Sequence, residues 1–234
     1  HKQLIPALVT AALKAVEHLA SIGINCLCLD FDQTIIQVHT GGIWTESLQE
    51  LQSKVRPELA QLIQCIVSRN SQYENNEHTS SSTAKSNTNI HLAVVTFSGQ
   101  IELIRGVLSS IVPQKSPPNS QNQGNDNHTA YSTANMIPIR GEDGSWKPPY
   151  PPQGWWPDDA DVNYDSGKQT HMLSAIREIE SLHGGDRIRI GKSTTLLIDD
   201  DDFNVQVARQ NGVRAVRLYP SNPGRVFADI MGLR

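Results

Sequence analysis

An apolar run, Cys26-Leu27-Cys28-Leu29, stops at two carboxylates, Asp30 and Asp32, with Phe31 between them. Unpaired carboxylates at the edge of a core are costly, so something must answer their charge. A second apolar run, Leu196-Leu197-Ile198, stops in the same way at four consecutive aspartates, Asp199 to Asp202. A third, from Leu92 to Val95, stops at a hydroxyl, Thr96, and Lys168 opens a helical pattern. In open parallel sheets, ligands bind beyond the carboxyl ends of the strands. If these runs are neighbouring strands, three or four carboxylates converge with one hydroxyl and one ammonium. Such a cluster needs a cation. Hard oxygen ligands suit magnesium, which retains waters and binds substrate phosphates.

The elements that would position these groups alternate strand with helix. Strands are expected over 24–30, 91–97, 135–141, 194–199 and 213–219, and helices over 56–70, 99–111, 167–184 and 203–212. Pro138 places the third strand at a sheet edge, because proline cannot donate to the ladder. Continuous apolar strands between helical patterns predict a doubly wound α/β domain with a mainly parallel five-stranded sheet. Leu4, Leu8, Ala12, Val16 and Leu19 recur at helical spacing, so the opening segment reads as an amphipathic helix rather than a signal peptide.

Composition sets the outer bounds. The 234 residues suit a single domain, yet only 38% are hydrophobic, which is low for a packed chain of this length. The deficit falls in two Ser/Asn-rich stretches, 71–89 and 113–130, which read as disordered insertions. A Pro-rich segment, 141–167, carries Trp146, Tyr150, Trp155, Trp156 and Tyr164. It reads equally as a lid or as a loop covering the sheet. A net charge of −4 gives no electrostatic case for nucleic acid or a membrane surface. Three cysteines in apolar settings, Cys26, Cys28 and Cys65, suit reduced thiols and a cytoplasmic location.

Rival readings are weaker. Gly191-Lys192-Ser193-Thr194 lacks the upstream glycine of a phosphate-binding loop and leads into a strand. Ser98 competes with Thr96 as the hydroxyl, but Thr96 ends the apolar run directly. Lys147 and Lys192 do not open the helix before the fourth strand, as Lys168 does. His39 reads either as a turn histidine or as a group in reach of a ligand.

Taken together, the residues resemble the four motifs of the haloacid dehalogenase (HAD) superfamily. Asp30-Phe31-Asp32-Gln33-Thr34 is similar to its Asp-x-Asp-x-Thr signature, Thr96 to its second motif, Lys168 to its third, and Asp199, Asp200 and Asn204 to its fourth. The likeness spans about residues 24–220 and omits the insertions. It implies a phosphate monoester hydrolase working through an aspartyl-phosphate. Asp30 is then the nucleophile and Asp32 the general acid and base, with Thr96 and Lys168 on the phosphoryl group. Magnesium is held by Asp30, the Asp32 main-chain carbonyl and Asp200, with Asp199 and Asn204 behind them. The substrate is a phosphorylated small molecule or a phosphoprotein. A minimal cap leaves the site open. Asp32 argues against halide chemistry, where the leaving group needs no proton. A phosphotransferase or mutase would use the same residues, and a binding module would need only the metal or phosphate site.

Overall fold

The computed structural model describes residues 4–77, 89–112, 133–147, 167–184 and 188–234. Four strands form around apolar or β-branched residues: β1 (Cys26–Leu29), β2 (His91–Val95), β4 (Thr195–Asp199) and β5 (Arg214–Arg217), the last with only Ala215 and Val216 between two arginines. A two-residue strand, β3 (Ile139–Arg140), completes a five-stranded sheet in the order β3-β2-β1-β4-β5, with every pairing parallel. Pro138 lies just before that edge strand and supplies only a carbonyl, which accepts from the Val94 N–H.

Side-chain alternation divides the core in two. Leu27, Leu29, Leu92, Val94, Leu196 and Ile198 face one side. There they meet α1 (Leu4–Ser21), α3 (Pro57–Glu77), α4 (Ile101–Ile111) and α7 (Arg225–Met231). Cys26, Cys28, Ala93, Val95 and Leu197 face the other, against α5 (Gln169–Leu182) and α6 (Asp202–Gln210). Burial on both faces is why the strands read as continuous apolar runs rather than as alternation with polar residues. Cys26, Cys28 and Cys65 are free and buried, packing as small apolar groups.

The register sets the working end of the sheet. Leu29 lies level with Val94 on one side and Ile198 on the other. One residue further, Asp30 sits beside Asp199, and its N–H donates to the Ile198 carbonyl at 3.0 Å. The chain leaves β1 towards β2 on one side, while β4 lies on the other. This reversal opens the crevice beyond the carboxyl ends of β1 and β4.

Four sequence expectations change. The strand expected over 135–141 shrinks to Ile139–Arg140, because Thr133–Met136 coil into a 3-10 helix. Helix α3 does not stop at Asn70 but runs through residues 71–77 to Glu77, so the first polar insertion begins later than its composition suggests. Once a helix is nucleated, each added residue costs little, and polar residues extend it readily. A short helix, α2 (Leu48–Gln52), sits between the first two motifs, with Ser47 accepting from the Glu50 N–H as its cap. Helix α7 also lies outside the expected elements. The rest of the first insertion, the 113–130 segment and most of the aromatic segment fall outside the described residues. Among the described residues, no helix is long and apolar enough to cross a membrane.

Candidate active site

Immediately after β1 the backbone turns sharply. Asp32 returns to extended geometry and Gln33 adopts a positive φ of 55°, a region that non-glycine residues enter rarely. The turn closes with the Ile36 N–H on the Phe31 carbonyl at 3.2 Å. It separates the two acids. Asp30 stays at the floor among β-strand ends, 5% exposed. Asp32 is lifted to the wall, where the Thr40 hydroxyl lies 2.9 Å from each of its carboxylate oxygens.

The floor holds a dense charge cluster. Carboxylate oxygens of Asp30, Asp199 and Asp200 lie within 4.8 Å of one another, close enough to share one cation. Lys168 reaches them from the start of α5. Its ammonium bonds Asp30 and lies 3.1 Å from Asp199 Oδ2. Gly167, with a φ of +55°, makes the turn that delivers it. Asp199 is fully engaged otherwise: Oδ1 accepts from the Asp201 N–H and Oδ2 from Asn204 Nδ2, at 2.9 and 3.2 Å. Asp200 turns the other way, with its Oδ1 accepting from the Thr34 hydroxyl at 3.2 Å. The same hydroxyl accepts from the Asp200 N–H at 3.1 Å.

Three carboxylates against one ammonium leave the cluster two negative charges in excess. Burial and this crowding of charge together shift the titrations of the cluster. Burial pushes the Asp30 carboxyl up to about 7, with Asp199 and Asp200 adding to the rise and Lys168 opposing it. Burial raises Asp200 as well, helped by Asp199. For Lys168, burial acts downward, but Asp30 and Asp199 outweigh it and the net shift is upward. An environment that favours bound protons on Asp30, Asp200 and Lys168 is one that favours a bound cation. A divalent ion with hard-oxygen preference fits both the charge deficit and the donor set.

Around the cluster opens a cleft of about 580 Å³. Thr96 faces it at the end of β2, with its oxygen accepting the Ser98 N–H at 3.1 Å. Its own hydroxyl proton can therefore point at a ligand. His39 Nδ1 stands 3.3 Å from Asp32 and accepts from the Gly41 N–H at 2.9 Å, which makes it a turn residue at the rim.

All the residues singled out in the sequence line this cleft: Asp30, Asp32, Thr96, Lys168, Asp199, Asp200 and Asn204. Arg217 and Phe97 also line it, and Thr40 holds Asp32 through its hydroxyl; none of the three was expected. Thr40 lies in a loop without pattern. Arg217 ends β5, a strand-end position that could have drawn attention. It donates to the Asp200 carbonyl at 3.3 Å and pairs with Asp202 at 3.2 Å.

No protein-family model matches the chain, and no curated protein matches it either. Among solved structures, it is similar to the N-terminal part of the protein BF1531 from Bacteroides fragilis, described as containing a phosphatase domain complexed with Mg. Identity is 14% and the TM-score 0.41, over 90% of this chain and 40% of that one. The chain thus spans well under half the length of that structure. A likeness this distant decides nothing about chemistry, and the side chains must.

Proposed function

We propose that the cleft is the active site of a magnesium-dependent phosphate monoester hydrolase of the HAD type. The observation that carries this reading is the convergence of three carboxylates close enough to share one cation, beside a hydroxyl and an ammonium, Thr96 and Lys168, that suit a phosphoryl group. Asp30, Asp200 and the Asp32 main-chain carbonyl would hold the magnesium, which supplies charge neutralisation between the carboxylates and the incoming phosphate. Asp199 has both oxygens occupied and serves to hold Lys168 and Asn204 in place.

In the first step an Asp30 carboxylate oxygen attacks phosphorus, and the ester P–O bond breaks. The leaving oxygen takes a proton from the Asp32 carboxyl, which yields the alcohol and an acyl phosphate on Asp30. In the second step Asp32, now anionic, takes a proton from water as that water attacks phosphorus. The bond to Asp30 breaks, and inorganic phosphate leaves. Lys168 and Thr96 bind the equatorial oxygens through both steps. The separation of Asp32 from the floor cluster suits this division of labour. Its carboxylate, held by Thr40, lies outside the group of three that shares a cation.

The test is phosphate release from a panel of phosphorylated metabolites, nucleotides and phosphopeptides. Release is expected with Mg²⁺ and is abolished by excess chelator. Undiminished release in excess chelator contradicts the metal assignment.

A further inference from the structure

The cleft floor is charged, yet among the described residues one large apolar side chain, Phe97, projects into the cleft. Phe97, directly after Thr96, is 47% exposed, whereas its neighbours Thr96 and Ser98 are buried. A single exposed phenylalanine on a convex surface means little. This one lines a concave site, and its ring centroid is 5.1 Å from the Lys168 ammonium that bonds Asp30. A phosphate held by Lys168 would therefore lie close to that ring.

The ring is also held. His171 meets Phe97 edge to face at 5.4 Å and 90°, and Trp146 meets His171 at 4.8 Å and 65°. Trp146 is fixed in turn by its indole N–H, which donates to the Gly141 carbonyl at 2.7 Å. Gly141 packs so closely on the loop carrying Phe97 that an added Cβ would stand 2.1 Å from the Ser98 carbonyl. Burial pushes the His171 imidazole down to about 4, with Lys168 and Arg140 adding to the effect, so an uncharged ring backs Phe97 at neutral pH. Three rings from three segments thus fix one aromatic surface at the mouth of a polar site. Such an arrangement restricts rotamers before a ligand arrives and reduces the ordering cost of stacking.

We infer that Phe97 is a specificity-determining residue, and that the substrate carries a planar aromatic group close to its phosphate. This rests on the phosphohydrolase reading of the same cleft. A flexible sugar or alkyl phosphate gains only contact area from Phe97, whereas a flat ring gains stacking geometry as well.

Phenylphosphonate and cyclohexylphosphonate separate these cases, because they share size and phosphonate but only one is planar. Binding of each is measured by calorimetry with Mg²⁺, on the wild type and on Phe97→Ala, Phe97→Leu and Phe97→Trp. The wild type is expected to prefer phenylphosphonate by roughly 3–10-fold, the range that one aromatic pair supplies. Phe97→Ala and Phe97→Leu lose the preference, and Phe97→Trp keeps it. Equal wild-type affinities, or a preference that survives Phe97→Ala, overturn the aromatic assignment. If phosphate release from the substrate panel is intact in that case, the hydrolase reading stands without it. If neither phosphonate binds and no phosphate is released, both fall together.

Discussion

At the amino ends of the strands, the polar groups are neutral and so are the partners they find. Asn70 brackets Ile90, accepting from its N–H at 3.2 Å and donating to its carbonyl at 2.9 Å. Asn25 donates to the Arg189 carbonyl at 2.9 Å. His91 and His183 meet edge to face at 4.6 Å, and burial, aided by His183, pushes the His91 imidazole down to about 4. At the carboxyl ends the same sheet crowds Asp30, Asp199 and Asp200 around a single Lys168. One end carries neutral polar groups, paired except for the Asn25 side-chain oxygen, and holds the fold. The other keeps charge it cannot neutralise from within, which stability alone does not explain. Active sites are where such strain persists, because it is relieved by what binds there.

The contrast can be broken hardest at Lys168. Lys168→Met removes the cation from a pair that is almost wholly buried, so it is expected to cost about 3–5 kcal/mol, the usual effect of orphaning a buried charge. Urea unfolding of the metal-free protein measures it. A loss within error of zero would show that the cluster is already protonated or solvated.

Asp200→Asn works in the opposite direction. It removes one of the excess charges and keeps an oxygen for the Thr34 hydroxyl. The metal-free variant is expected to be more stable, by on the order of 1 kcal/mol, and to lose the thermal stabilisation that Mg²⁺ gives the wild type. A variant destabilised in the absence of metal, or one that keeps the full Mg²⁺ response, removes Asp200 from the metal site.

The smallest effect belongs to the amino end and is a pH dependence. The folded pKa of His91 lies below its ordinary 6.5, at about 4. The unfolded chain therefore takes the proton first. Stability is full above pH 6.5 and falls as the pH drops towards 4. With partial exposure taken into account, His91 contributes on the order of 1 kcal/mol to the loss by pH 5. His171 acts in the same direction. Melting temperatures at pH 7.5 and 5, compared between wild type and His91→Gln, should show a shallower acid loss in the variant. Equal losses would mean that the His91 ring titrates as if free.

Much of the arrangement was legible because chemistry-bearing residues sit where apolar runs end. Asp30, Thr96 and Asp199 could be placed at strand ends from burial pattern alone, and Lys168 at a helix start. The aspartate run was harder, since four identical letters carry no orientation. The family resemblance alone told Asp199 from Asp200 in the sequence; in the fold, Asp199 is tied to Lys168 and Asn204, and Asp200 is turned towards Thr34. Contacts between distant loops left no local trace. Thr40 reaches Asp32 across a turn whose positive-φ residue is a glutamine rather than the expected glycine. The stack of Phe97, His171 and Trp146 joins three segments that no periodicity relates. Helices α2 and α7 are too short for a period to emerge.

The central claim is that Asp30 carries the phosphoryl group and Asp32 moves the protons. Rapid-quench analysis of Asp32→Asn and Asp30→Asn with a labelled aryl phosphate, whose leaving group needs little protonation, tests it directly. Asp32→Asn keeps its main-chain carbonyl and the nucleophile but lacks the base for the second step. It is expected to accumulate acid-stable label on the protein, with turnover slowed by roughly 10²–10⁴-fold. Asp30→Asn is expected to carry no label and to turn over no substrate. Label on the Asp30 variant, or normal turnover by both, would contradict the assignment of the two acids.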